Sequence, residues 1–206
     1  MPDGAAVGSL REAALELLVY LALHRDGAAL EDIKEAIYPD ATRERARQRL
    51  STDVSNLRGR LRHALDAVDD PSTASAPNST NATPPSTHRA ADPVINTGGR
   101  YHLNPALLDI DWWRVQDAVR HAKQASTPAE QATALKTALA DYHGPLADDR
   151  DYEWATHAQQ HTRRLGTGIH TKLADLTATT DPRAAAHLLE AACDLDPYDE
   201  ALARRS

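Results

Sequence analysis

The stretch from Ala41 to Leu65 decides the fold of this chain, and it reads ATRERARQRLSTDVSNLRGRLRHAL. Apolar residues recur in it at steps of three or four, at Ala46, Leu50, Val54, Leu57, Leu61 and Leu65. An α-helix completes a turn in about 3.6 residues, so this spacing places all of them on one face. The stretch therefore predicts a long amphipathic helix with one buried face.

The same helix is strongly basic. It holds seven arginines against two acids, a balance of +5, whereas the whole chain carries −7. On a helical wheel its outward side presents Arg45, Gln48, Ser51, Thr52, Ser55 and Arg62, with Asn56 and Arg58 at the margins. Arginine, amide and hydroxyl groups read base edges in a major groove and hold phosphates. We predict phosphate contacts for Arg58 and Arg62 and base contacts for Arg45, Gln48, Ser51, Thr52 and Ser55; the alternative is a solvated basic face.

The neighbouring segments give this helix a context. Helical spacing predicts one helix from Leu10 to Leu21 and a short second helix over residues 31–38. Residues 94–103 read VINTGGRYHL, in which strand-forming residues flank a Gly-Gly turn and Thr97 and Arg100 lie at the tip. The order of short helix, turn, basic helix and hairpin is typical of a helix-turn-helix domain with a wing.

A segment of different composition separates the basic helix from the hairpin. Residues 69–93 contain no Val, Ile, Leu, Met or aromatic residue and are rich in Pro, Ser and Thr. Such a segment buries too little apolar surface to offset its ordering entropy. We predict a disordered insertion inside a first domain that spans residues 1–104.

Residues 107–206 predict a second, helical domain. Their charge balance is −5, and Thr127-Pro128-Ala129-Glu130 is a capping box with proline at the first helical position. With 4% aromatic residues and no Phe in the whole chain, the fold class is expected to be mainly α-helical. Few residues follow Pro197 to cover the last apolar stripe, so this domain is expected to be truncated.

Several function classes have no support in the sequence. A single cysteine, Cys193, excludes an internal disulfide framework and a CxxC zinc site. His157 and His161 have metal-ligand spacing but lack the glutamate of an HExxH motif, so no metal and no cofactor are predicted. No nucleotide loop or nucleophile elbow is present, and the chain is not expected to be an enzyme. Without a signal peptide or an apolar run of membrane-spanning length, it is expected to be cytoplasmic.

Particular residues also resemble known families. The first part is similar to the winged helix of OmpR-type DNA-binding domains in Tyr38-Pro39-Asp40, in Leu57-Arg58 and in the GGxYxL pattern of residues 98–103. The second part resembles the tetratricopeptide-like bacterial transcriptional activator domain of SARP and AfsR-type regulators. It matches in Asp111-Trp112, in Tyr142-x-Gly144-Pro145-Leu146, in Trp154 and in Leu195-Asp196-Pro197.

The resemblance implies a bacterial transcriptional regulator. Its winged helix would bind double-stranded DNA, and its helical domain would contact RNA polymerase, another protein or a second copy of the chain, with no membrane contact. The same modules occur in cytoplasmic regulators and as cytoplasmic parts of larger, membrane-tethered proteins. The alternative is a scaffold module that keeps the winged-helix fold for protein contacts, which the net charge of −7 favours.

Overall fold

The computed structural model describes residues 10–69 and 92–204, and the chain divides into two compact units, Met1–Asp109 and Ile110–Ser206. The described part is mainly α-helical with one small antiparallel sheet, which confirms the predicted fold class. Within the described residues, no helix combines the length and the apolar character needed to cross a membrane.

The described part of the first unit consists of three helices and three short strands. In chain order these are α1 (Glu12–Leu23), β1 (Ala28–Ala29), α2 (Leu30–Ile37), α3 (Arg43–Asp69), β2 (Val94–Thr97) and β3 (Arg100–Leu103). Helix α1 packs against both α2 and α3, so the two shorter helices cover one side of the long one.

The apolar stripe of α3 forms the core of this unit. Five of its predicted members are buried: Ala46, Leu50, Val54, Leu57 and Leu61. They share the core with fully buried Leu17 and Leu21 of α1 and Ile33 of α2. The predicted stripe is therefore confirmed at five of its six positions, and Leu65 is half-buried. Burial of these side chains supplies the main stabilisation of the unit.

The hairpin is the second prediction that the structure confirms. Strands β2 and β3 pair antiparallel with Val94 opposite Leu103, and Gly98 and Gly99 take φ values of +61° and +81°. Positive φ at both central residues is the requirement of a type I′ turn, which glycine meets without strain. Strand β1, which the sequence analysis missed, pairs with the other edge of β3, giving the order β1-β3-β2.

The segment predicted to be disordered, residues 69–93, overlaps the described residues at both ends. Helix α3 continues to Asp69, while Asp92 and Pro93 are placed beside the hairpin and Pro93 is fully buried. The disorder predicted for these three residues is wrong, because helix propagation and burial order them. The rest of the predicted segment, residues 70–91, lies outside the described residues.

The second unit is built from helices alone in its described part. They are α4 (Asp111–Gln124), α5 (Pro128–Asp141), α6 (Thr156–Thr177), α7 (Pro182–Leu195) and the short α8 (Glu200–Ala203), with a 3-10 turn at Glu153–Ala155. Helix α4 packs on α5 and α6 packs on α7. The capping box at the start of α5 is confirmed, since the Thr127 hydroxyl accepts from the Glu130 amide and the Glu130 carboxylate accepts from the Thr127 amide.

A close approach fixes the connection between α5 and α6. The ring of Tyr142 lies on Gly166, and its hydroxyl donates to the Thr162 carbonyl at 3.1 Å. The Thr162 hydroxyl in turn accepts from the Leu146 amide at 3.0 Å. A Cβ at position 166 would overlap the Tyr142 ring, so glycine is needed there for space.

Candidate nucleic-acid interface

The outer face of α3 is open to solvent where the sequence analysis placed base contacts. All five predicted residues are exposed: Arg45, Gln48, Ser51, Thr52 and Ser55. The Thr52 hydroxyl donates back to the Gln48 carbonyl at 3.1 Å, which leaves its lone pairs facing outward. This face therefore offers a guanidinium, an amide and hydroxyls together along the N-terminal half of the helix.

A buried hydrogen bond fixes the turn between α2 and α3. The Tyr38 hydroxyl, at the end of α2, donates to the Asp53 carboxylate at 2.6 Å, and both residues are buried. Burial and this bond raise the pKa of Tyr38 well above its usual range, so the phenol remains a donor. The bond therefore holds the turn against the third turn of α3, directly behind the exposed face.

Charged groups also connect α2 to the start of α3. Lys34 is buried, and its ammonium lies 2.6 Å from the Glu31 carboxylate. The same carboxylate also lies 3.3 Å from the guanidinium of Arg43. The hydrogen bond from Lys34 lowers the pKa of Glu31. Arg43 is thereby drawn toward α2, although its side chain remains 83% exposed.

Two predicted phosphate contacts lie on the flank of α3 that meets the hairpin. Arg58 donates from Nε and Nη2 to the Val94 carbonyl at 2.9 and 2.7 Å. Its Nε is also 3.2 Å from the Asp92 carboxylate, which lies 3.1 Å from Nη2 of Arg62. The guanidinium of Arg58 is therefore occupied within the first unit, while Arg62 keeps about half of its side chain exposed (52%).

The tip of the hairpin turns back toward the start of α2. The Arg100 guanidinium donates to the Gly27 carbonyl, and the Leu30 amide donates to the Gly99 carbonyl at 3.2 Å. Ala29 precedes α2 and has no side-chain cap to offer, so the Gly99 carbonyl satisfies the first amide of the helix. Thr97 is exposed.

Asn56 differs from the other predicted contacts. It is half-buried, and its Oδ1 is buried without a hydrogen-bond partner among the residues that the structure describes. The structure therefore places Asn56 at the edge of the exposed face and separates it from the five open residues.

Other residues of this surface were missed by the sequence analysis. Three of the predicted arginines are bonded to Asp92, Val94 and Gly27. These bonds join positions between 30 and 73 residues apart, so no local sequence pattern predicts them. One sequence signal pointed to a neighbour on that flank: Arg58 lies at the margin of the helical wheel, where a neighbouring segment can contact α3. Arg47 and Arg60 add exposed charge to α3, and neither forms an ion pair with any described residue.

The two histidines with metal-ligand spacing lie on α6 of the second unit. His157 and His161 are both exposed, and His161 meets the Trp112 ring edge-to-face at 6.5 Å. Over residues 10–69 and 92–204, no group of three or more His, Cys, Asp or Glu side chains is arranged to hold a metal ion.

The described part of the second unit is a set of helices packed in pairs, α4 on α5 and α6 on α7. Residues 110–206 match the family model described as bacterial transcriptional activator domain. The match begins where the second unit begins and covers slightly less than half of the chain, so the second unit is similar to domains of this family. No curated protein and no solved structure matches the chain.

Proposed function

We propose that the chain is a transcriptional regulator that binds double-stranded DNA through a winged helix in residues 1–104. The observation that carries this proposal is the open face of α3, where Arg45, Gln48, Ser51, Thr52 and Ser55 are exposed together. A transcriptional activator domain in the same chain supports it. A helix presented in this way fits the major groove, which is wide enough to admit it.

The contacts of the arginines support a division of roles. Arg45 and the neighbouring polar groups would approach base edges, and Arg62, with half of its side chain exposed, would reach a phosphate. Arg58 and Arg100 would hold the hairpin in position, because each donates to a backbone carbonyl of the unit. Thr97 at the hairpin tip and Asn56 at the edge of α3 would lie beside the backbone.

The second unit would supply protein contacts. Its charge balance of −5 disfavours DNA as its ligand. Its partner would be RNA polymerase, another protein or a second copy of the chain, as the family of transcriptional activator domains suggests. In this proposal the protein is cytoplasmic, uses no cofactor and catalyses no reaction.

Charge reversal on α3 tests DNA binding. We expect Arg45→Glu to weaken binding to a random duplex at least tenfold at low salt and by less at high salt, because the phosphates repel the new carboxylate and salt screens that repulsion. Arg183→Glu is the matched control, since it makes the same charge change at an exposed site of α7. Fluorescence anisotropy at several salt concentrations measures both values. Equal losses in the two variants would contradict the proposal.

A scaffold function is the second candidate. It is favoured by one observation, namely that Arg58, Arg62 and Arg100 are already bonded within the first unit. A scaffold would bind random duplex no better than its net charge of −7 allows, and Arg45→Glu would leave that weak binding unchanged. The same titration therefore separates the two functions.

A further inference from the structure

The second unit carries an apolar hollow between α4, α5 and α6. Its volume is about 240 Å³, and its walls include Val119, Leu135, Leu165 and Ile169. Among the described residues, the charged side chains that line it are those of Lys123 and Arg164. Both are exposed, and neither forms an ion pair with any residue that the structure describes. An apolar hollow flanked only by cations is complementary to an apolar side chain with carboxylates beside it.

A second hollow adjoins the first across α6. It has a volume of about 430 Å³ and shares Arg164 and Gly168 with the apolar hollow. A Cβ built on Gly168 would meet nothing within 4 Å, so the two hollows are continuous over this glycine. The continuous surface, which we call the α6 groove, therefore suits an elongated occupant.

The lining of the second hollow is of mixed charge. Lys172 lies one turn beyond Gly168 on the same exposed side of α6, while Asp175, Asp196 and Asp199 also line the hollow. Asp199 accepts from the Leu202 amide at 3.1 Å, so one of its oxygens caps α8. The attraction for carboxylates is therefore strongest at the apolar end of the α6 groove, beside Lys123 and Arg164.

We propose that the α6 groove binds an acidic segment of a partner protein through one apolar anchor residue. The anchor would fill the apolar hollow, its flanking carboxylates would pair with Lys123 and Arg164, and its backbone would cross Gly168. This inference rests on the proposed protein-contact role of the second unit and is independent of DNA binding by the first.

Two observations favour a protein segment over other occupants. Small-molecule sites are usually enclosed and measure about 300–1,000 Å³, whereas the apolar hollow is smaller and opens into its neighbour. Residues 70–91 of this chain contain no Val, Ile, Leu, Met or aromatic residue, so they offer no anchor for the hollow. We therefore expect the segment that binds the α6 groove to be acidic and to belong to another protein.

The test is an NMR titration of the full chain, labelled with ¹⁵N, with the peptide acetyl-Gly-Glu-Glu-Leu-Glu-Glu-Gly-amide. We expect saturable shifts centred on the amides of Leu165, Gly168 and Ile169. The double variant Lys123→Glu, Arg164→Glu should weaken binding at least fivefold. The control pair Lys136→Glu, Arg183→Glu makes the same charge change at exposed sites outside both hollows and should change it less than twofold.

A second variant separates occupancy from charge. Gly168→Leu fills the groove where a side chain has free space, so the chain should keep its fold and lose the peptide shifts. A peptide with glutamine in place of glutamate should bind at least fivefold more weakly.

Four results would overturn the proposal. They are equal weakening by the control pair, unchanged binding in Gly168→Leu, displacement of the peptide by an equal concentration of octanoate, and self-association through this groove in sedimentation. DNA titrations of the same variants keep the outcomes separate, since failure of DNA binding leaves the peptide result unaffected.

Discussion

Removal of the Arg58 side chain should loosen the hairpin from α3. Its two donors converge on the Val94 carbonyl, and Val94 itself is fully buried at the start of β2. Arg58→Ala therefore removes the charged partner of a carbonyl at the base of the hairpin, whereas Arg62→Ala removes only an ion pair with Asp92. The two variants make the same charge change on the same helix, and each serves as the control for the other.

The expected magnitudes follow from the type of each bond. A hydrogen bond from a charged donor contributes about 1.5–3 kcal/mol, and the two N–H groups share one acceptor, so Arg58→Ala should cost about 2 kcal/mol. A partly exposed ion pair contributes about 0.2–1 kcal/mol, which sets the expectation for Arg62→Ala. Arg58→Lys keeps the charge but loses the planar fork, so its cost should be intermediate.

Hydrogen exchange on the intact chain measures the stability of the hairpin in the first unit separately from that of the second unit. The three tryptophans, Trp112, Trp113 and Trp154, all belong to the second unit, so their fluorescence reports unfolding of that unit and serves as an internal control. Protection of the β2–β3 amides should fall about 30-fold in Arg58→Ala and less than about fivefold in Arg62→Ala. Equal losses in the two variants, or a change below about threefold in both, would refute the proposed role of Arg58.

Three further predictions concern the second unit, and tryptophan fluorescence in urea measures each of them. Gly166→Ala should lower the free energy of unfolding by about 1–3 kcal/mol, because the new Cβ meets the Tyr142 ring. Gly168→Ala should raise it by about 0.5–1 kcal/mol, because alanine favours the helix and has free space there. Effects of the same sign in the two variants would contradict the packing argument. Burial raises the pKa of Tyr142 from 10.0 to about 12, so its stabilising contribution is complete below pH 10 and is lost as the pH rises through 12. The loss should be about 2–3 kcal/mol at most, and a Tyr142→Phe variant with an unchanged alkaline profile would exclude this linkage. Thr127→Ala should cost about 1 kcal/mol through loss of the capping box, and no change in the urea midpoint would show that the cap is dispensable.

The parts of the fold that sequence could predict are those with a local signal. The stripe of α3 repeats with the helical period, and Gly98-Gly99 matches the one turn type that needs positive φ twice. Strand β1 has no such signal, because Ala28 and Ala29 do not favour extended structure and form a strand only by pairing with β3. The helical wheel of α3 likewise identified the exposed residues correctly, since exposure there depends only on the position of the core face.

Bonds between distant parts of the chain could not be predicted for this surface. Arg58 and Arg62 read as outward-facing or marginal on an isolated helix, and no local pattern places Asp92 and Val94 on that flank. Arg100 likewise follows the predicted Gly-Gly turn, but its hydrogen-bond acceptor is the Gly27 carbonyl, 73 positions earlier in the chain. Composition could indicate that the helix is basic, but only the packed unit shows which cations are already bonded.

The bonds at the two ends of the hairpin indicate how the first unit would present α3. The base of the hairpin is tied to α3 through Arg58, and its tip is tied to the start of α2 through Gly99 and Arg100. The buried bond between Tyr38 and Asp53 links α2 to α3 directly, so the hairpin and both helices form a closed set of connections. A surface that reads base edges must hold its side chains in fixed positions before binding, because ordering them at that moment would reduce affinity. Arg58 and Arg100, which are bonded within the unit, would therefore contribute to binding indirectly, by keeping the open face of α3 in place.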